Sequence, residues 1–341
     1  MVSRDIVRKF VAQIKEKHKE INEPIIEKDF YLTLMLNEIS KEIEENKGSA
    51  FSKLVFKGGT LLTRAHLNYH RISEDLDFTY LENKRLNKIS SKQRKKFISS
   101  FTDQLANEIS KISKNLDLDF SPNKTNKKYC KVMDRKNVYA FRIYYNPVYG
   151  SEEFIKFEIN FNDELIYSAL FEDIKHLFDS ELIKDLEFVE DIKINMRKNI
   201  PCYDLREIAG EKIRAILTRP SIKERDLLDL FLISKKIDIF ALDREKIVNK
   251  IVSSKSFIKD LGTKIQTNLE RLVGGEKNII EEKDKLILIK VKEKEYSYFQ
   301  EKLIPLLADM GKRCLLELSK SKILESKGLL MIVILINNIC Y

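Results

Sequence analysis

Between Leu54 and Phe78 the chain passes from an apolar run through two glycines into alternating carboxylates, an order that few folds accommodate. Leu54-Val55-Phe56 stops at Gly58-Gly59, Thr60 to Leu67 follows with helical spacing of its leucines, and Asp75-Leu76-Asp77-Phe78 closes the stretch. In a strand, residues i and i+2 share a face. Asp75 and Asp77 therefore point one way, while Leu76 and Phe78 point into a core. Two carboxylates at that spacing repel unless a cation sits between them, and Mg²⁺ commonly takes one or two carboxylates plus substrate phosphates. A Gly-Gly-Thr turn opening a helix offers backbone N–H groups and a hydroxyl to an anion. An anion cradle and metal-type carboxylates so close together point to nucleotide chemistry.

The 341 residues suffice for two domains. Hydrophobic content of 43% with 34% charged residues describes a folded, soluble chain, not a disordered one. The net charge of +9 permits a polyanionic partner and equally fits a bias toward Lys, Ile and Asn throughout. Cys130, Cys202, Cys314 and Cys340 lie far apart without a CxxC pair, which argues against zinc or a disulfide framework and fits a cytoplasmic location. The first residues contain no signal-peptide core. Only Leu329 to Ile336 is continuously apolar, too short to span a bilayer. It reads as a buried terminal element or an altered C-terminus, and no membrane partner is expected.

Residues 1–20 read as a polar-faced helix. Glu27-Lys28-Asp29-Phe30 opens a longer one, with Phe30, Leu34, Ile39 and Ile43 at mostly three-to-four spacing. Residues 84–131 hold 13 Lys or Arg against 4 Asp or Glu, and Ser91 to Asn115 has helical apolar spacing. That charge run is either a solvated helix face or a surface for a phosphate backbone. Glu153 to Asn162 alternates Ile155, Phe157, Ile159 and Phe161 with Lys156, Glu158 and Asn160, predicting a strand with Glu158 on its polar face. Glu158 is either an edge residue facing solvent or, beside Asp75 and Asp77, the third of a carboxylate trio. From Asp204 onward the pattern is helical. Pro220 breaks one helix, Ser221-Ile222-Lys223-Glu224 has a capping-box pattern for the next, and Arg225 with Asp229 reads as an i,i+4 pair. The order predicts an α+β fold: a mixed sheet flanked by helices over residues 1–200, with a basic helical insertion at 84–131, followed by an all-helical domain over 201–341.

Four blocks carry a resemblance. They are Lys57-Gly58-Gly59-Thr60, Arg71-Ile72-Ser73-Glu74-Asp75-Leu76-Asp77-Phe78, Tyr203 to Ala215 with Arg219, and Arg225-Asp226-Leu227-Leu228-Asp229-Leu230. In this order they resemble the AbiEii/AbiGii-type nucleotidyltransferase toxins, relatives of the polymerase-β-like nucleotidyltransferase superfamily, and Glu27 to Phe30 is similar to that family's N-terminal signature. The resemblance implies that Lys57, Gly58, Gly59 and Thr60 hold the triphosphate of an NTP, with Ser73 touching nucleotide or metal. It implies that Asp75 and Asp77 bind Mg²⁺ or Mn²⁺, and that Glu158 is the third carboxylate, nearest the acceptor. Lys212 would neutralise the triphosphate, and Asp226 would orient Lys212 or an arginine. Gly210 stands where the family pattern has alanine. The implied activity is transfer of NMP to an acceptor, a tRNA 3′ end, in a bacterial toxin–antitoxin or abortive-infection system, with a cognate antitoxin that need not touch the toxin. Transfer to protein or small-molecule hydroxyls, and a catalytically silent binding protein of the same fold, remain as alternatives.

Overall fold

The computed structural model describes residues 3–175, 199–254, 258–274 and 291–323. The apolar stretch from Leu329, and Cys340, lie outside the described residues. The chain forms two compact units, one reaching to Asp204 and the other beginning at Leu205.

The first unit opens with α1 (Arg4–Lys17), whose Ser3 side chain accepts the Ile6 N–H as an N-cap. Helix α2 (Glu23–Glu45) starts four residues before Glu27, because Pro24 in its first turn is pre-set for a helix start. Strand β1 (Leu54–Lys57) runs into α3 (Gly58–Leu61), which continues as a π turn over Leu62–His66 and leads to β2 (Asp75–Tyr80). A short α4 (Asn83–Leu86) precedes α5 (Ser91–Asn115), which has the bounds that its apolar spacing predicts and a capping box made by Ser90 and Gln93. Strands β3 (Cys130–Met133), β4 (Val138–Tyr145), β5 (Glu153–Asn160), β6 (Leu170–Phe171) and β7 (Pro201–Cys202) follow.

Among the described residues the strands form one mixed sheet in the order β3-β4-β5-β2-β1-β7-β6. β1 is antiparallel to β2, and β2 is parallel to β5. Phe56, Phe78 and Phe157 stack across these three strands, with ring centroids 5.0 and 4.7 Å apart, and all three are buried. Offset aromatic pairs of this kind add about 0.5–1.5 kcal/mol each beyond area burial. Because a one-residue slip would turn every side chain to the other face, this ladder fixes which face carries Asp75, Asp77 and Glu158. Phe101, Leu105, Ile109 and Ile112 of α5 are buried as well.

The second unit contains α6 (Leu205–Thr218), α7 (Glu224–Ser234), α8 (Arg244–Ser253), α9 (Leu261–Val273) and α10 (Glu293–Ile323), and no strand among its described residues. The capping box predicted at Ser221 is not formed. Lys223 is the N-cap of α7 without a side-chain cap bond, and the Glu224 carboxylate instead accepts from the Tyr296 hydroxyl.

Candidate active site

The corner between β1 and α3 is built on its glycines. Gly58 has φ of +82°, and a Cβ there would lie 2.5 Å from Asp77 Oδ2. Both backbone conformation and space exclude a side chain. At Gly59 a Cβ would meet Ser73 Oγ and an Arg71 guanidinium nitrogen, each at 2.7 Å. The carboxylate strand and the residues leading into it thus press directly on the glycine backbone. Thr60 is buried, and its hydroxyl donates to the Asp75 carbonyl, with Ser73 Oγ 3.1 Å away. Its hydroxyl therefore holds the start of β2 in place. Lys57 Nζ lies 2.9 Å from Asp163 Oδ2, which also accepts from Asn160 Nδ2 at 2.9 Å. The lysine is turned onto a buried carboxylate at the end of the β5 strand.

The parallel pairing of β2 with β5 sets Asp75 opposite Lys156 and Asp77 opposite Glu158. Lys156 Nζ lies 2.9 Å from Glu158 Oε2 and 3.5 Å from Asp75 Oδ2. Burial pushes the Asp77 carboxyl up to about 6; Glu158 and Asp75 push the same way, and Lys156 and Lys57 oppose them. Burial works against the charge of Lys156, but Glu158, Asp75 and Asp77 outweigh it and hold its pKa above the usual lysine value. Among the described residues no three His, Cys, Asp or Glu side chains gather tightly enough to hold a metal ion by themselves. The donors present do suit a divalent ion shared with phosphates: hard oxygens from Asp75 and Asp77, with burial first and the neighbouring carboxylates second in disfavouring the Asp77 charge, and an ammonium already bridging Asp75 and Glu158.

The N-terminal signature supports this corner from behind. Asp29 and Arg64 form a buried ion pair at 2.6 Å, and Arg64 also donates to the Thr33 hydroxyl at 2.9 Å. Arg64 sits in the π turn that follows the glycines, so α2 holds the segment that continues from the glycine corner. Glu27 accepts the backbone N–H groups of Val148 and Tyr149 at 2.7 and 2.9 Å, fixing the loop between β4 and β5. Burial pushes its carboxyl upward.

In the second unit, Lys212 Nζ lies 2.8 Å from Asp226 Oδ1 and 2.5 Å from Asp229 Oδ2. Both aspartates are fully buried, and Asp226 also takes Arg219. Asp229 is thus a second carboxylate on Lys212, a role that the i,i+4 reading does not contain. Nearby in sequence, Lys250 of α8 bridges Glu207 and Glu211 of α6.

The structure therefore brings Gly58, Gly59, Thr60, Ser73, Asp75, Asp77 and Glu158 together in the first unit, and joins Lys212 to Asp226 in the second. Sequence reasoning missed Lys156, Asp163, Arg71 and Asp229. Lys156 was open to discovery, because it shares the strand face of Glu158 two residues away.

The family model described as Nucleotidyl transferase AbiEii toxin, Type IV TA system, matches residues 45–314. The chain belongs to this family. As an AbiEii protein it is a nucleotidyltransferase of a toxin–antitoxin family, for which a cognate antitoxin is implied. The match spans the glycine corner, the three carboxylates and the Lys212 cluster, and it leaves out the Glu27–Phe30 signature. Among solved structures, the chain is similar to MenT4, a nucleotidyltransferase toxin from Mycobacterium tuberculosis H37Rv, at 14% identity and a TM-score of 0.45, covering 92% of this chain and 94% of that one. It is also similar to JHP933 from Helicobacter pylori, at 15% identity and a TM-score of 0.33, covering 85% and 92%. No curated protein matches the chain. No helix among the described residues is long and apolar enough to cross a membrane.

Proposed function

We infer that this AbiEii nucleotidyltransferase moves an NMP group from an NTP to an RNA acceptor, a tRNA 3′ end, and so blocks translation in the cytoplasm as a phage-defence toxin. The observation that carries the reading is Asp77 paired with Glu158 on parallel strands, beside Asp75 and against Gly58. Asp75 and Asp77 are assigned to Mg²⁺ or Mn²⁺, and Glu158 to the acceptor side. When bound, the cation supplies positive charge for the triphosphate and lowers the pKa of the acceptor hydroxyl.

The chain's own residues are assigned the rest. Gly58 and Gly59 leave their backbone open to the phosphates, with Ser73 beside them. Lys57 and Thr60, held by Asp163 and the Asp75 carbonyl, keep that backbone in position. The acceptor oxygen bonds to the α-phosphorus as the bond from that phosphorus to the bridging oxygen breaks, and pyrophosphate leaves. The hydroxyl proton passes to Glu158, the carboxylate assigned to the acceptor side. Lys212 offsets charge on the triphosphate, and Asp226 orients it.

The test is purified protein incubated with total RNA, Mg²⁺ and each α-labelled NTP in turn, beside an Asp75→Ala control. A labelled tRNA-sized band, absent with the control, supports transfer to RNA and reveals the base preference. Label on protein, or label unchanged in the control, overturns the acceptor or the site respectively.

A further inference from the structure

The positive charge of the first unit is concentrated at one corner. Residues 84–96 contain seven Lys or Arg and no Asp or Glu, whereas 97–131 contain six against four. The two stretches also differ in what their cations touch. In the second, three of the six cations are paired, Lys111 with Glu42, Lys124 with Asp103 and Lys128 with Asp119, at 2.7–2.9 Å. In the first, Arg94 is used internally on Asn137 and the Phe161 carbonyl, and Arg85 reaches Glu82 at 3.4 Å. Lys84, Lys88, Lys92, Lys95 and Lys96 are exposed, and among the described residues no acidic side chain lies within ion-pair distance of them.

Folding does not account for this placement. Lys92, Lys95 and Lys96 occupy the first two turns of α5, whose first turn has no acidic residue. Cations there oppose the positive end of the helix dipole, and a helix selected for stability alone carries Asp or Glu at that end. The same end attracts anions. Beside it is an open hollow lined by Tyr80, Leu86, Ile89 and Phe97, with Arg85 and its ion-pair partner Glu82 as the charged members. Cations next to apolar and aromatic surface are the combination that single-stranded nucleic acids use. The corner is also tied to the catalytic strands. Asn83 donates to the Asp163 carbonyl at 2.7 Å, and the Asp163 side chain holds Lys57, next to Gly58. It begins directly after β2, the strand that carries Asp75 and Asp77.

We propose that the 84–96 corner is the surface that grips the phosphate backbone of the acceptor RNA, with the α5 N-terminus as its centre. This rests on the RNA reading above and locates it on one surface. The test measures binding of the full chain to a deproteinised tRNA pool by fluorescence anisotropy across a salt series. Lys92→Glu/Lys95→Glu/Lys96→Glu is compared with Lys9→Glu/Lys41→Glu/Lys47→Glu, which changes three exposed lysines of the same unit and alters net charge equally. Thermal unfolding confirms that both variants are folded. The corner variant is expected to bind at least tenfold more weakly at moderate salt, with the log–log salt slope reduced by about 2–3, and the control variant to change less than threefold. Equal losses in both variants, or an unchanged corner variant, overturn the surface while leaving RNA as acceptor. A wild-type protein that binds and labels no RNA overturns both.

Discussion

Asp77→Asn separates what the carboxylate face does for chemistry from what it costs the fold. The Asp77 carboxyl is raised from 3.8 to about 6, so its ionised form is disfavoured in the native protein relative to the unfolded chain. Its contribution is therefore favourable at low pH, is fully present below about 4, and is lost as pH rises through about 6. The difference corresponds to about 3 kcal/mol, at 1.36 kcal/mol per tenfold change in proton affinity, and roughly half of it is lost between pH 5 and 8. An asparagine has no such dependence. Without divalent cation, the Asp77→Asn protein should gain stability relative to wild type as pH rises from 4 to 8, by up to about 3 kcal/mol, while transfer is abolished. Urea unfolding followed by tyrosine fluorescence is a suitable assay, since the chain has 13 tyrosines and no tryptophan. Added Mg²⁺ should close the gap at pH 8 by stabilising wild type only. Parallel stability-versus-pH curves for the two proteins would refute the assignment of a raised proton affinity to Asp77.

Four further outcomes follow from the geometry. Lys156→Met removes the cation that opposes the rise at Asp77, so the pH-dependent gap between this variant and its Asp77→Asn derivative should move to higher pH; an unmoved gap would show that the ammonium does not act on Asp77. Gly58→Ala should abolish transfer and cost about 1–2 kcal/mol in backbone strain alone, because the new Cβ meets the Asp77 carboxylate; a transfer assay and a melting curve check both. Arg64→Met should cost about 3–5 kcal/mol by leaving Asp29 buried without its cation, with partial recovery in Asp29→Leu/Arg64→Met. Gly210→Ala should stabilise the second unit by about 0.8–1 kcal/mol in helix propensity, since a Cβ there makes only ordinary contact with Ile247 at 3.5 Å, and calorimetry would read the gain.

The sequence showed what is local and hid what is paired across distance. Asp75 and Asp77 were legible because strand alternation alone puts them on one face. Helix α5 was legible because Phe97, Phe101, Leu105, Ile109 and Ile112 keep a helical period. Glu158 was visible as a polar-face residue, but periodicity holds no information about which strand lies beside it. That depends on the β2–β5 pairing and on the stacked rings of Phe56, Phe78 and Phe157. Lys156 was overlooked for a different reason: in a lysine-rich chain one more lysine on a polar face carries little signal. The Ser221–Glu224 pattern misled because a capping motif is a statement about two local bonds, and Tyr296, far along the chain, took the glutamate. The Glu27–Asp29 signature was recognisable as a pattern, yet its use, two buried carboxylates anchoring a loop and an arginine, became apparent only in three dimensions.

The parallel register of Asp77 with Glu158 also bears on how a cell survives making such a protein. Parallel neighbours need a long crossover before they can meet, and here 81 residues separate the two carboxylates. At about 5–20 residues per second of synthesis, a ribosome needs on the order of 4–16 s after adding Asp77 before Glu158 even exists. Non-local pairings of this kind also form slowly. A chain still being translated therefore carries the glycine corner and two of the three carboxylates without the strand that brings the third. The carboxylate face can close only once nearly half of the chain has been written.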